Sequence, residues 1–209
     1  MKVGIIGGTF DPIHLGHLNA AQEIAEEYAL EEVVIIPSSS PPHKRGELVS
    51  SADRLTMCRL ATEDNPLFSV SDMEIVRGGI SYTIDTIREF KGLRGEDCEI
   101  FFIIGSDALA DIWTWKDTEQ LFKECNFVVD LRGEDSVSDI EGYLKTKSID
   151  STITMGGSPF KVYIIKTTLL DISSTKIRKK IGGGLVTNYL LPQKVEDYIA
   201  KNSLYGYNR

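Results

Sequence analysis

The chain has 209 residues, 42% of them hydrophobic and 26% charged, with a net charge of −8, which allows a packed core and excludes a disordered chain. No apolar run is long enough to span a membrane, and the longest basic run is Arg178-Lys179-Lys180. A general nucleic-acid binder is therefore disfavoured, and positive charge for any polyanion has to be gathered locally in a cleft.

The three cysteines, Cys58, Cys98 and Cys125, are widely spaced. They suggest neither a metal pattern nor a disulfide framework, and with an N-terminus that starts a strand at once they fit a reducing cytoplasm.

In chain order, Val3–Ile6 reads as a buried first strand and Leu18–Tyr28 as a helix. Between them stands Gly7-Gly8-Thr9-Phe10-Asp11-Pro12-Ile13-His14-Leu15-Gly16-His17. A glycine turn and two histidines thus sit where a strand passes to a helix N-terminus, the place in an α/β fold where backbone N–H groups and the helix dipole favour a phosphate. Asp11-Pro12 alone would be only a turn. If the helical turn begins at Gly16, the three-residue spacing of His14 and His17 turns both rings to one polyphosphate.

Val33–Ile36 is the next strand, ended by Pro37 and followed by a polar, proline-rich loop, Ser38 to Gly46. Lys44 and Arg45 on this loop read either as solvated charges or, at the carboxyl end of a sheet strand, as a place where a lysine holds a phosphate as a flexible point charge. Ser51–Glu63 reads as a helix with Leu55, Cys58, Leu60 and Ala61 for its apolar face. Phe68–Ser71 alternates as a strand, and Thr83–Phe90 reads as a short helix opened by Ser81-Tyr82-Thr83. The N–H groups of that opening either are plainly capped or receive a carboxylate.

Ile100–Ile104 is the clearest buried strand, and Gly105-Ser106-Asp107 follows it. Asp107 either caps the next helix or accepts a ribose hydroxyl. Trp113 and Trp115, two apart, cannot both face inward if the stretch is extended, so one is assigned to the core and the other to stacking on a flat ring.

Asn126–Val129 and Val162–Ile165 are further strands. The polar, acidic stretch between Arg132 and Lys161 reads as a helix near Ser138–Lys145 plus a mobile loop. From Ser173 two helices follow, separated by Gly182-Gly183-Gly184 and a hydrophobic connector. The first opens with Ile172-Ser173-Ser174-Thr175-Lys176-Ile177-Arg178. An ordinary N-cap accounts for the three hydroxyls. Taken with the first anion site, the same segment reads as the far side of a triphosphate clamp, with Arg178 making a forked contact.

Strand–helix alternation with nearly continuous apolar strands predicts an α/β fold: a Rossmann-like doubly wound parallel sheet with helices on both faces and a small C-terminal helical part. No repeat or linker splits the chain, so a single domain over residues 1–209 is expected. The sequence shows no Ser/His/Asp order for acyl transfer, no zinc spacing and no carboxylate pair for glycoside chemistry.

The two end motifs resemble those of the nucleotidyltransferase superfamily that pairs His-x-Gly-His with Ser/Thr-x-x-Arg. Within it, the chain most resembles the bacterial nicotinate-nucleotide adenylyltransferase family. The finer marks are Pro41-Pro42-His43-Lys44, Ser81-Tyr82-Thr83-Ile84-Asp85-Thr86, Ile103-Ile104-Gly105-Ser106-Asp107, Trp115-Lys116 and the ending Leu191–Ile199. Where members often carry Arg-Pro-Gly after the fifth strand, this chain reads Leu131-Arg132-Gly133-Glu134.

The resemblance implies that ATP and nicotinate mononucleotide give nicotinate adenine dinucleotide and pyrophosphate, with Mg2+ on the ATP phosphates and no metal site made by the protein. It implies a core over 1–170, with helices over 171–209 completing the ATP site. His14, His17, Lys44 and Arg178 would be the catalytic set. Gly8, Thr9, Phe10, His14, His17, Gly105, Asp107, Ser173, Ser174, Thr175 and Arg178 would bind ATP. Thr9, Lys44, Tyr82, Thr83 and Trp115 would bind the mononucleotide. A relative using nicotinamide mononucleotide or phosphopantetheine is the alternative. Neither nucleic acid nor membrane is an expected partner, and self-association is left open.

Overall fold

The computed structural model describes residues 1–40, 48–95, 97–131, 133, 135–146 and 162–207. In chain order these form β1 (Lys2–Gly8), α1 (Leu15–Tyr28), β2 (Glu32–Pro37), α2 (Ser51–Thr62), β3 (Phe68–Val70), α3 (Met73–Arg77), α4 (Thr83–Arg94) and β4 (Glu99–Gly105). Next come α5 (Ser106–Ala110), a 3-10 turn (Ile112–Thr114), α6 (Thr118–Leu121), β5 (Asn126–Asp130), α7 (Val137–Thr146), β6 (Val162–Ile165), α8 (Ser174–Gly182), α9 (Gln193–Lys201) and a closing 3-10 turn (Leu204–Gly206).

The six strands form one sheet in the order β3-β2-β1-β4-β5-β6, and every neighbouring pair is parallel. Ile5 pairs with Val34 on one side and Phe102 on the other. The strand order reverses between β1 and β4, and in such sheets a ligand crevice opens beyond the carboxyl ends of the strands at that switch point.

Alternate residues of the strands feed different sides of the sheet. Val3, Ile5, Val34, Ile36, Ile100, Phe102, Ile104, Phe127 and Val129 pack with Ile84, Ile87 and Phe90 of α4, Leu121 of α6 and Leu144 of α7. Val33, Phe101, Ile103 and Val128 pack with Ala21, Ile24 and Ala25 of α1. Ile35 joins Met57 and Cys58 of α2, Ile177 and Ile181 of α8, and Val195 and Ile199 of α9. Burial on both sides explains why these strands read as continuous apolar runs.

Several elements differ from the sequence expectation. α1 starts at Leu15 rather than Leu18, with His14 as its N-cap. α4 runs on to Arg94, ended by Gly95. The short helices α3, α5 and α6 have too few residues to show a period. The buried side of α2 is made by Arg54, Met57, Cys58 and Thr62. Of the expected face, Cys58 is buried and Leu60 and Ala61 pack against the same core, while Arg54 rather than Leu55 points fully inward, to three carbonyl groups. The expected mobile loop lies largely outside the described residues.

Cys58 and Cys125 are buried, and burial pushes both thiols up. They therefore stay protonated and unreactive at neutral pH. Titration with a thiol reagent is expected to leave both untouched in the native protein and to modify them in denaturant; their rapid modification without denaturant would contradict the packing.

Candidate active site

The loop from Gly8 to His14 has its carbonyl groups held from four places. Gly8 O accepts from the Ser38 N–H at 2.8 Å, and Thr9 O from Arg54 Nη1 at 2.7 Å. Asp11 O accepts from Arg178 Nη1 at 2.7 Å, and Pro12 O from Ser174 Oγ at 2.9 Å. Phe10 adopts the left-handed conformation, φ 49°, and the Asp11–Pro12 bond is cis. At position 8 a Cβ would meet the Phe10 ring at 3.0 Å, so glycine lets the chain turn under that ring.

Arg54 is 1% exposed. Its Nη2 reaches Ser39 O at 3.1 Å and its Nε reaches Val49 O at 3.3 Å. Burial pulls its pKa down, and the Asp11 carboxylate opposes that shift. Asp11 is itself 1% exposed. Its Oδ1 accepts from Tyr205 Oη at 2.8 Å, and its Oδ2 lies 3.6 Å from Arg178 Nη1.

The two histidine rings stack, centroids 3.6 Å apart and planes at 21°. The His14 N–H donates to His17 Nδ1 at 3.3 Å, so a neutral His17 carries its proton on Nε2. A Cβ at position 16 would stand 3.1 Å from His14 Nδ1, which explains the glycine between the histidines. His17 is half-buried and lines the principal cavity. His14 is buried and lines a smaller neighbouring one of about 50 Å3. The rings thus form a pair with one member on the principal wall.

The principal cavity has a volume of about 590 Å3 and lies at the switch point, between the ends of β1 and β4. Of the residues singled out in the sequence, Gly8, Thr9, Phe10, His17, Tyr82, Thr83, Gly105, Asp107, Trp115 and Ser174 line it. Ser173 is the N-cap of α8, its Oγ accepting from the Lys176 N–H at 3.2 Å. Thr175 Oγ1 accepts from Arg178 Nη2 at 3.4 Å. Lys44 and Arg132 lie outside the described residues.

The other end of the cavity is built on α4 and the segment after α5. The Ser39 N–H donates to Ser81 Oγ at 3.0 Å and the Ser81 N–H to Ser40 O at 3.2 Å, tying the exit of β2 to the start of α4. Tyr82 is the N-cap of α4 and Thr83 its first residue. Trp113 packs on Phe122, ring centroids 6.0 Å apart, while Trp115 meets Phe102 edge-on at 6.3 Å and lines the cavity. The stretch is a 3-10 turn rather than extended, and both indoles are half-buried against the same core cluster; of the two, Trp115 lines the cavity. Lys116 Nζ lies 4.9 Å above the Tyr82 ring and 2.9 Å from Asp85 Oδ2.

Asp107 does not cap the helix that follows β4. Gly105 is the N-cap of α5, and Asp107 is the second residue inside it and lines the cavity, which leaves the reading of a ribose-hydroxyl acceptor as a proposal. A first-turn carboxylate there still meets the positive end of the helix.

Sequence reasoning missed Arg54, Tyr205 and Glu74. Glu74 is 6% exposed, lines the cavity and accepts from Thr86 Oγ1 at 2.6 Å. No spacing marks any of the three, because each acts through a contact distant in sequence.

Residues 5–180 match the cytidylyltransferase-like family. A probable nicotinate-nucleotide adenylyltransferase of Thermoanaerobacter sp. is 42% identical, covering 98% of this chain and 94% of its own. One of Citrifermentans bemidjiense is 45% identical, covering 98% of both. The structure of the Plasmodium falciparum nicotinic acid mononucleotide adenylyltransferase, complexed with NaAD, superposes with a TM-score of 0.79 over 99% of this chain and 98% of its own. At 24% identity that likeness carries the fold alone.

Proposed function

The chain belongs to the nicotinate-nucleotide adenylyltransferases of the cytidylyltransferase-like family, and from that premise we propose that its cleft transfers AMP from ATP to nicotinate mononucleotide, giving nicotinate adenine dinucleotide and pyrophosphate. The observation that carries this reading is the meeting of two helix N-termini from opposite ends of the chain. Ser174 of α8 hydrogen-bonds Pro12 O of the loop that leads into α1, and His17 and Ser174 line one cavity. Two such ends supply oriented donors and positive potential for a polyphosphate.

The acceptor is a phosphate monoester with a second pKa of about 6, already largely a dianion near neutrality, so no general base is required. A phosphate oxygen of the mononucleotide attacks the α-phosphorus in line. The new P–O bond forms as the bond to the bridging α,β-oxygen breaks, and pyrophosphate leaves. Catalysis then consists of positioning and of neutralising charge on the leaving group.

His17, as an Nε2–H donor, faces the phosphates, with α8 across from it. Arg178 secures the loop through Asp11 O, so its part in phosphate binding is to hold that loop in place. Lys44 supplies a further cation. Mg2+ enters on the ATP phosphates as part of the substrate and neutralises charge there. Asp107 and Gly105 serve the adenosine side. Residues 171–209 act with 1–170 as one unit that completes the ATP site.

At the acceptor end, Trp115 offers a ring face, and the α4 N-terminus at Thr83 with Lys116 beside it offers positive potential for a carboxylate. A carboxylate gains more there than an amide does. Pyrophosphate release with MgATP is therefore expected to give a kcat/KM for nicotinate mononucleotide at least about tenfold above that for nicotinamide mononucleotide, the worth of one charged contact. Faster turnover of the nicotinamide form, or of phosphopantetheine, overturns the acceptor assignment.

A further inference from the structure

We propose that Tyr205 is a positioning residue for the nucleotide, holding the Gly8–His14 loop in its phosphate-binding shape through the buried carboxylate of Asp11. This inference rests on the assignment of that loop to ATP. The Tyr205 hydroxyl donates to Asp11 Oδ1 at 2.8 Å across 194 residues of chain. Asp11 Oδ2 has no hydrogen-bond partner among the described residues; it lies 3.6 Å from the Arg178 guanidinium and also feels the charge of Arg54. Among the described residues the tyrosine thus makes the one hydrogen bond to a carboxylate that is 1% exposed.

Asp11 sits at the centre of the loop. Its own carbonyl and that of Pro12 are gripped by α8, and that of Thr9 by Arg54. Holding the carbonyl groups outward leaves the loop one orientation in which to meet an anion, so the carboxylate at its middle sets the register of the whole turn.

The turn that delivers the hydroxyl is strained. Ser203 and Tyr205 both take positive φ, 49° and 57°, and such residues persist only where their surroundings over-determine them. The surroundings here are the far end of α8. The Tyr205 carbonyl oxygen stands 3.4 Å from where a Cβ on Gly182 would be, and Leu204 and Tyr205 pack with Ile177 and Ile181. One helix therefore carries Ser174 and Arg178 at its first turns and seats Tyr205 at its last. Burial, and then the Asp11 charge, push the tyrosine pKa up, so the hydroxyl remains a donor at any ordinary pH.

Of the residues assigned to the mononucleotide, Thr9 shares this loop, while Tyr82, Thr83 and Trp115 stand on other elements, so a change at Tyr205 should fall mainly on the nucleotide. In Tyr205→Phe, kcat/KM for MgATP is expected to fall about tenfold, as for loss of a hydrogen bond to a charged group, while KM for nicotinate mononucleotide changes less than about twofold. Asp11→Asn reads the same link from its other end. In the double variant the losses should not multiply, since both act through one contact.

MgATP binding by calorimetry, without acceptor, tests the nucleotide site independently. A wild-type protein that binds MgATP but does not use nicotinate mononucleotide sinks the acceptor assignment and leaves this inference to its own variants. Wild-type affinity for MgATP in Tyr205→Phe, with only a lowered melting temperature, overturns it, as do losses that multiply. Should Tyr205→Phe not fold, wild-type MgATP binding by Asp11→Asn overturns it equally.

Discussion

Replacing His17 by alanine is expected to lower kcat by about 10²- to 10³-fold, the usual cost of deleting one donor aimed at developing charge, with only a small loss of stability. The two effects separate because the ring is half-buried on the cavity wall rather than in a core. What the fold loses is the stacking on His14 at 3.6 Å, an edge contact to Phe10 at 5.2 Å and the bond that the His14 N–H donates to Nδ1 at 3.3 Å. Each such contact is worth about 0.5–1.5 kcal/mol, and at this chain length 1 kcal/mol moves the melting temperature by about 2–4 °C. Pyrophosphate release and a thermal melt on the same preparation check both halves. A melting temperature lowered by more than about 18 °C, the upper end of that estimate, with kcat nearly unchanged, would make His17 a structural residue.

The opposite balance is expected at Arg54. Arg54→Met keeps most of the buried volume and removes every donor, leaving Thr9 O, Ser39 O and Val49 O to be satisfied some other way. Orphaned buried acceptors cost about 1–3 kcal/mol each. Desolvation of the guanidinium, which already pulls its pKa down, is relieved in the variant and offsets part of this. The net expectation is a loss of about 3–5 kcal/mol, the range found when one partner of a buried charged contact is removed.

Arg59→Ala, on the same helix, removes an exposed pair with Asp72 and is expected to cost less than about 1 kcal/mol. Urea unfolding of both variants gives the comparison, and equal midpoints would show that the three carbonyl contacts contribute nothing. Because Thr9 O and Ser39 O flank the cavity, the folded fraction of Arg54→Met should also bind MgATP more weakly.

Much of this molecule is legible in the sequence where one local force dominates. Val33–Ile36 and Ile100–Ile104 are buried on both sides of the sheet, and a strand so placed has to be apolar throughout. The Gly7–His17 string reads as an anion site because its chemistry is local: a turn, two rings and a helix start.

The rest depends on contacts made across the chain. A charged residue at a helical position reads as outward-facing, and nothing near Arg54 announces the three carbonyl groups that draw it in. Asp107 resembles a cap because acids cluster at helix starts, yet the helix begins two residues earlier than that reading requires. Tyr205 looks like one of several tyrosines at the end of the chain, and only the fold brings it to Asp11. The order of the strands, which creates the cleft, is likewise absent from any single segment.

The grip of α8 on the first loop, Ser174 on Pro12 and Arg178 on Asp11, has a consequence for how the enzyme is born. The ribosome makes the histidine pair first and Ser174 only 157 residues after His17 (174 − 17), a delay of roughly eight to thirty seconds at ordinary elongation rates. Throughout that interval the nascent loop lacks the helix that grips it, so its held form arrives only once α8 has been made.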